Sequence, residues 1–178
     1  MLKYPVTRLH RLALASGLVL ASLSAQAQST TSASASAIII NPLGIAKTSD
    51  LVFGRLAVGA VGGGVTVNTA GVVTFSGAGN TLVQPLGNTG NPRAAEFTVS
   101  GEAGFTYSVT LPANGTVTLS DGGSNTMPVN AFVSDPAGTG TLSGAGSSPL
   151  KVGATLSVGN NQAPGTYTGT FNVTVAYN

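Results

Sequence analysis

The chain has 178 residues, with seven basic residues, five acidic residues, one histidine and no cysteine. Three of the bases, Lys3, Arg8 and Arg11, lie in the first eleven positions; beyond residue 27 there remain Lys47, Arg55, Arg93 and Lys151 against Asp50, Glu96, Glu102, Asp121 and Asp135. Four scattered bases against five acids exclude the Lys/Arg cluster that grips a nucleic-acid backbone, and no later apolar run has the length of a membrane-spanning helix.

In chain order, the first feature is an address. The positive start is followed by the short apolar run Leu12–Leu23 and by Ala25-Gln26-Ala27, a small-x-small pattern. That is the three-part layout of a secretory signal, and twelve apolar residues are too few to span a bilayer. Removal after Ala27 is expected. The product would be exported to the periplasm, and from there to the cell surface or beyond. The lack of cysteine fits a chain long enough to fold without disulfide staples.

Residues 28–41 form an N-terminal extension, and 42–178 a single β domain. The extension is rich in Ser, Thr and Ala, yet it alternates: Thr31, Ala33, Ala35, Ala37 and Ile39 share one side, and Ser32, Ser34 and Ser36 the other. Two readings stand open: a structureless terminus, or a strand that presents small apolar side chains to a groove.

Within the domain, period-two alternation recurs. Val65–Val67 and Val72–Phe75 flank a turn at Asn68–Gly71. Glu96–Ser100 places Phe97 and Val99 inward, and Gly101–Gly104 predicts a hairpin to Phe105–Leu111. Thr116–Leu119 and Val129–Val133 are shorter strands, with Asp121-Gly122-Gly123 between them. Lys151–Val158 places Val152, Ala154, Leu156 and Val158 on one face. The turn cluster 159–165 then leads to Tyr167–Tyr177, whose odd positions are Tyr167, Gly169, Phe171, Val173, Val175 and Tyr177. No window reads as an amphipathic helix, because β-branched residues and glycine interrupt each one. The expected fold is an all-β antiparallel sandwich.

The chemistry of catalysis is missing. The one histidine, His10, lies in the leader, so the exported part holds neither His nor Cys. That excludes Ser-His-Asp and Cys-His nucleophiles and ordinary zinc ligation. Glu96 and Glu102 are the one nearby carboxylate pair, and they read as solvated charges at a turn rather than a glycosidase dyad. Neither enzymatic activity nor a metal or cofactor is expected.

Two resemblances emerge. Gly165, fourteenth from the C-terminus, and the penultimate Tyr177 enclose an alternating strand, which resembles the C-terminal signature of chaperone–usher pilus subunits. The segments Asn41–Ile45, Asp50–Gly54, Phe97–Gly101, Val152–Leu156 and Gly165–Phe171, in that order, are similar to a bacterial exported family known as domain of unknown function 4402. They also resemble the spore-coat-protein-U-like subunits of archaic pili. The pilus resemblance implies an immunoglobulin-like sandwich that lacks its last strand, filled first by a periplasmic chaperone and then, at the usher, by the N-terminal strand of the next subunit. It implies a strand-exchange interface in which Thr31, Ala33, Ala35, Ala37 and Ile39 form the donor face. Gly165, Tyr167, Gly169, Phe171, Val173, Val175 and Tyr177 line or border the groove, with Gly169 leaving room there for a neighbouring side chain. The expected function is thus a fibre subunit; the alternative is a monomeric secreted binding or adhesion module.

Overall fold

The computed structural model describes residues 28–77 and 90–178, and the expected leader, 1–27, lies outside them. Among the described residues every regular element is a strand. No helix there is long and apolar enough to cross a membrane. Residues 28–37, the described part of a first unit that ends at Ala37, carry no regular structure and are exposed.

The second unit, Ile38–Asn178, is an antiparallel β-sandwich. Its strands are β1 (Gly44–Ser49), β2 (Gly63–Val67), β3 (Val73–Ser76), β4 (Ala95–Ser100) and β5 (Thr106–Thr110), then β6 (Val117–Ser120), β7 (Thr126–Asp135), β8 (Thr139–Thr141), β9 (Ser147–Val158) and β10 (Thr174–Tyr177). The larger sheet runs β1-β4-β9-β2-β3, with β7 also pairing β9 and β6 pairing β7; the smaller sheet runs β10-β5-β8.

β9 organises the larger sheet. Its first half pairs β4, from Ser147↔Ser100 to Val152↔Ala95, and its second half pairs β2, from Ala154↔Val67 to Val158↔Gly63. The alternation read in the sequence is realised here: Val152, Ala154, Leu156 and Val158 are all buried. Because β9 passes from one partner to the next, the core divides into two clusters along it. Around its first half, Ala95, Val99, Leu150 and Val152 meet Tyr107 and Leu142. Around its second half, Val65, Val67, Ala154, Leu156 and Val158 meet Val117, Met127 and Val129.

Three expectations need correction. Gly101–Gly104 is not a hairpin between paired strands: β4 belongs to the larger sheet and β5 to the smaller, so the turn carries the chain from one sheet to the other. Tyr167–Tyr177 keeps its alternation in burial except at the exposed Gly169, yet only Thr174–Tyr177 forms a ladder, with β5; upstream there is one isolated bridge, Thr168 to Ser120. Alternation reports which side faces the core, whereas a ladder also needs a neighbouring strand at hydrogen-bonding distance.

The third concerns β7, which extends beyond Val129–Val133 at both ends and contains a bulge. Its pairing with β9 slips between Asn130 and Val133. Ala131 adopts φ 50°, and its N–H donates to Asn114 Oδ1 at 2.8 Å while Asn130 Oδ1 accepts from Gly115 N at 2.8 Å. The extra residue reverses the parity of the strand. Phe132 therefore turns inward and packs on Phe171, with ring centroids 5.1 Å apart.

Candidate functional site

The smaller sheet covers the first-half cluster and leaves much of the second uncovered. The result is a groove of about 940 Å³. Its floor is Val117 and Leu119 from β6, Met127 and Val129 from β7, and Leu156 and Val158 from β9. One wall is residues 51–58, and the other is residues 162–169 with Phe171. The floor is wholly apolar, and the walls add Leu51, Phe53, Leu56, Val58, Tyr167 and Phe171 beside the polar Arg55, Gln162, Thr166 and Thr168, so the floor suits an apolar occupant. Among the described residues no group of His, Cys, Asp or Glu could hold a metal. Glu96 pairs with Lys151 at 3.1 Å, and Glu102 serves a different purpose, described below.

The first wall was not legible as a strand. Leu51 and Phe53 share one parity, and Leu56 and Val58 the other. Gly54, at φ 88°, lies between them and resets the direction of the side chains. Val52 exchanges two backbone hydrogen bonds with Arg93, both 2.9 Å, which hold the start of this wall beside the larger sheet.

The second wall begins at a braced tyrosine. Tyr167 OH donates to the Ala163 carbonyl at 2.8 Å and accepts from Gln162 Nε2 at 2.9 Å. Thr168 and Ser120 exchange backbone bonds of 2.9 Å each. Residues 169–173 then join no ladder among the described residues. An extended segment without a strand neighbour, flanking an apolar floor, is a template for strand addition.

The turn beside this wall is tied by Asp121. Its Oδ1 accepts from Gly123 N at 2.8 Å and its Oδ2 from Asn125 Nδ2 at 2.6 Å. The bond from Asn125, then that from Gly123, holds the carboxyl below its ordinary value of 3.8. A depressed carboxylate contributes stability above its unfolded value, and that contribution is lost as pH falls through the folded one. Asp121→Ala should therefore be less stable than the parent at pH 7, and the difference should narrow as pH drops below 3.8. Urea midpoints of the two proteins at neutral and acid pH measure this.

The residues expected at a strand-exchange interface separate into three groups. Gly165, Tyr167, Gly169 and Phe171 line the groove. Val173, Val175 and Tyr177 instead pack on the first-half cluster with Leu43. Thr31, Ala33, Ala35, Ala37 and Ile39 are exposed. At Gly169 a Cβ would lie 2.6 Å from Thr118 O and 2.9 Å from Leu119 Cδ2, so this glycine leaves room for the Leu119 side chain and lets the wall approach the β6 backbone. A Cβ at Gly165 would make only ordinary contacts, 3.5 Å from Asp121 Cβ and from Tyr167 Cε2.

Tyr177 is the centre of a clasp. Its OH donates to the Asn41 carbonyl at 2.9 Å and accepts from Glu102 N at 2.6 Å. Glu102 Oε2 accepts from Asn41 N at 2.9 Å and from Asn41 Nδ2 at 2.8 Å. The root of the N-terminal extension is thus fastened to the last strand.

Comparison with curated proteins and with solved structures finds no match. A family model does match, over residues 43–177. That range takes in every strand of the sandwich and both walls of the groove, and the chain belongs to the family described as Domain of unknown function (DUF4402).

Proposed function

We propose that this protein is a structural subunit of a surface fibre, assembled by donor-strand complementation. The observation that carries the reading is the groove: an apolar floor of β6, β7 and β9, open between residues 51–58 and a final segment that joins no ladder at 169–173. An extended strand laid there adds backbone hydrogen bonds along the second wall and buries alternate side chains on the floor. Residues 28–40 are an extended-capable segment next to the sandwich in sequence, and Ile38 and Ile39 are 91% and 96% exposed. On this reading the leader exports the chain, a periplasmic chaperone covers the groove, and an usher exchanges the chaperone for a subunit strand. Such cover is needed because an open apolar edge promotes aggregation.

The test is deletion of residues 28–40. The exported full chain should migrate as a ladder of multimers that collapses only on heating in detergent. The deleted chain should lose the ladder, and a synthetic peptide of residues 28–40 should bind it. A full chain that is a stable monomer, unchanged by the deletion, would overturn the reading.

A further inference from the structure

We infer that Asn114-Gly115 is a deamidation site that Asn130 holds shut, so that modification there marks molecules whose β7 bulge has opened. The inference does not depend on what fills the groove.

The chemistry is that of the Asn-Gly step, which occurs once in the chain. Gly115 N attacks Asn114 Cγ and a C–N bond forms. The side-chain amide nitrogen leaves as ammonia, taking the proton that Gly115 N gives up. Water then opens the ring at either carbonyl and yields aspartate or isoaspartate. Glycine in the second place favours the step, because it brings no side chain to hinder ring closure. Both residues are exposed, and a Cβ at Gly115 would meet nothing within 4 Å. Water and hydroxide thus reach the site, and crowding does not protect it.

Hydrogen bonds do. Thr116 N donates to Ala113 O at 3.3 Å and Gly115 has φ 79°, the pattern of a type II turn. In such a turn the second residue, here Asn114, has ψ of about +120°. Ring closure needs the Gly115 nitrogen swung toward the Asn114 side chain, so the peptide must rotate out of the turn. Two bonds to the bulge oppose that rotation. The nucleophile, Gly115 N, donates to Asn130 Oδ1 at 2.8 Å, and Asn114 Oδ1 accepts from Ala131 N at 2.8 Å. The first bond also covers the proton that must leave, and a neutral amide oxygen does not take it.

The dependence is mutual. Ala131 holds φ 50°, a conformation that an L side chain resists, and its N–H is satisfied by Asn114. Isoaspartate adds a methylene to the main chain at 114 and moves the acceptor, so the bulge loses its stay. The inward turn of Phe132 and its contact with Phe171 rest on that bulge.

The test is the rate of deamidation at Asn114 in the full-length exported chain at mildly alkaline pH, read by peptide mass spectrometry. The folded parent should react roughly tenfold more slowly than the same chain in urea, as expected where hydrogen bonds must break first. Asn130→Ala should recover most of that difference with its circular dichroism unchanged. Hydrogen exchange on the unaltered chain gives a reading independent of any variant: the Gly115 amide, though in an exposed turn, should exchange about tenfold more slowly than in the unfolded chain. The modified fraction, separable by its added negative charge, should unfold at a lower urea concentration than the parent. Three results would each overturn the lock: a folded parent that deamidates as fast as the unfolded chain, Gly115 exchange at the unfolded rate, or a folded Asn130→Ala chain that deamidates no faster. A modified fraction as stable as the parent overturns the link to the bulge.

Discussion

Leu56→Asp should abolish assembly and leave the sandwich folded. Leu56 lies on the first wall of the groove, half-buried, and packs on the edge of the second-half cluster from outside the named strands. In the free subunit an aspartate there can turn to water. With a strand seated, the carboxylate would be pressed against an apolar partner and stripped of water. Burying an unpaired polar or charged group costs several kcal/mol. Even about 3 kcal/mol weakens association roughly a hundredfold. Far-ultraviolet circular dichroism should be unchanged, and analytical ultracentrifugation should show monomer where the parent shows multimers. Multimers that persist in the variant would place the interface elsewhere.

Tyr107→Ala should produce the largest loss of stability. Tyr107 is fully buried in the first-half cluster, and its OH donates to Ser148 Oγ at 2.9 Å. It comes from the smaller sheet and Ser148 from the larger, so the side chain ties the two layers together. Truncation of a large buried aromatic costs about 3–5 kcal/mol, a sizeable part of the roughly 5–15 kcal/mol typical of a domain. Tyr107→Phe keeps the ring and should cost about 1–2 kcal/mol, through loss of the buried hydrogen bond to Ser148 Oγ. Urea denaturation of both variants separates the packing from the hydrogen bond; equal losses would show that the ring contributes little.

What was legible follows from what alternation encodes. In β9 both faces are specified by neighbours, and Val152, Ala154, Leu156 and Val158 declare the buried side without ambiguity. β1 escaped notice because it is an edge strand, exposed from Ile45 to Thr48, with Lys47 paired to Asp50 in place of an apolar inward residue. The Gly101–Gly104 turn deceived because two glycines in a short polar link serve a hairpin or a crossing between sheets equally well. Half of the groove was visible in Tyr167 and Phe171. The other half was hidden by the change of parity at Gly54, and the inward turn of Phe132 by the bulge at Ala131. Tyr177 shows the limit most clearly. Its position at the end of an alternating strand marked it as important, but only the folded chain shows its hydroxyl bonded to Asn41 and Glu102, far away in sequence.

The layout along β9 has a mechanical consequence. Asn41 is fastened near its Ser147 end, beside Ser100, while the floor of the groove lies at Leu156 and Val158. A pull applied between those two points runs nearly parallel to the strand. The hydrogen bonds that join β9 to β4, β2 and β7 lie across that direction and would be loaded together in shear, whereas a pull across the sheet would peel them one by one. A sandwich loaded this way gives little until many bonds fail at once, so the same long strand that divides the core in two also makes the molecule stiff along its length.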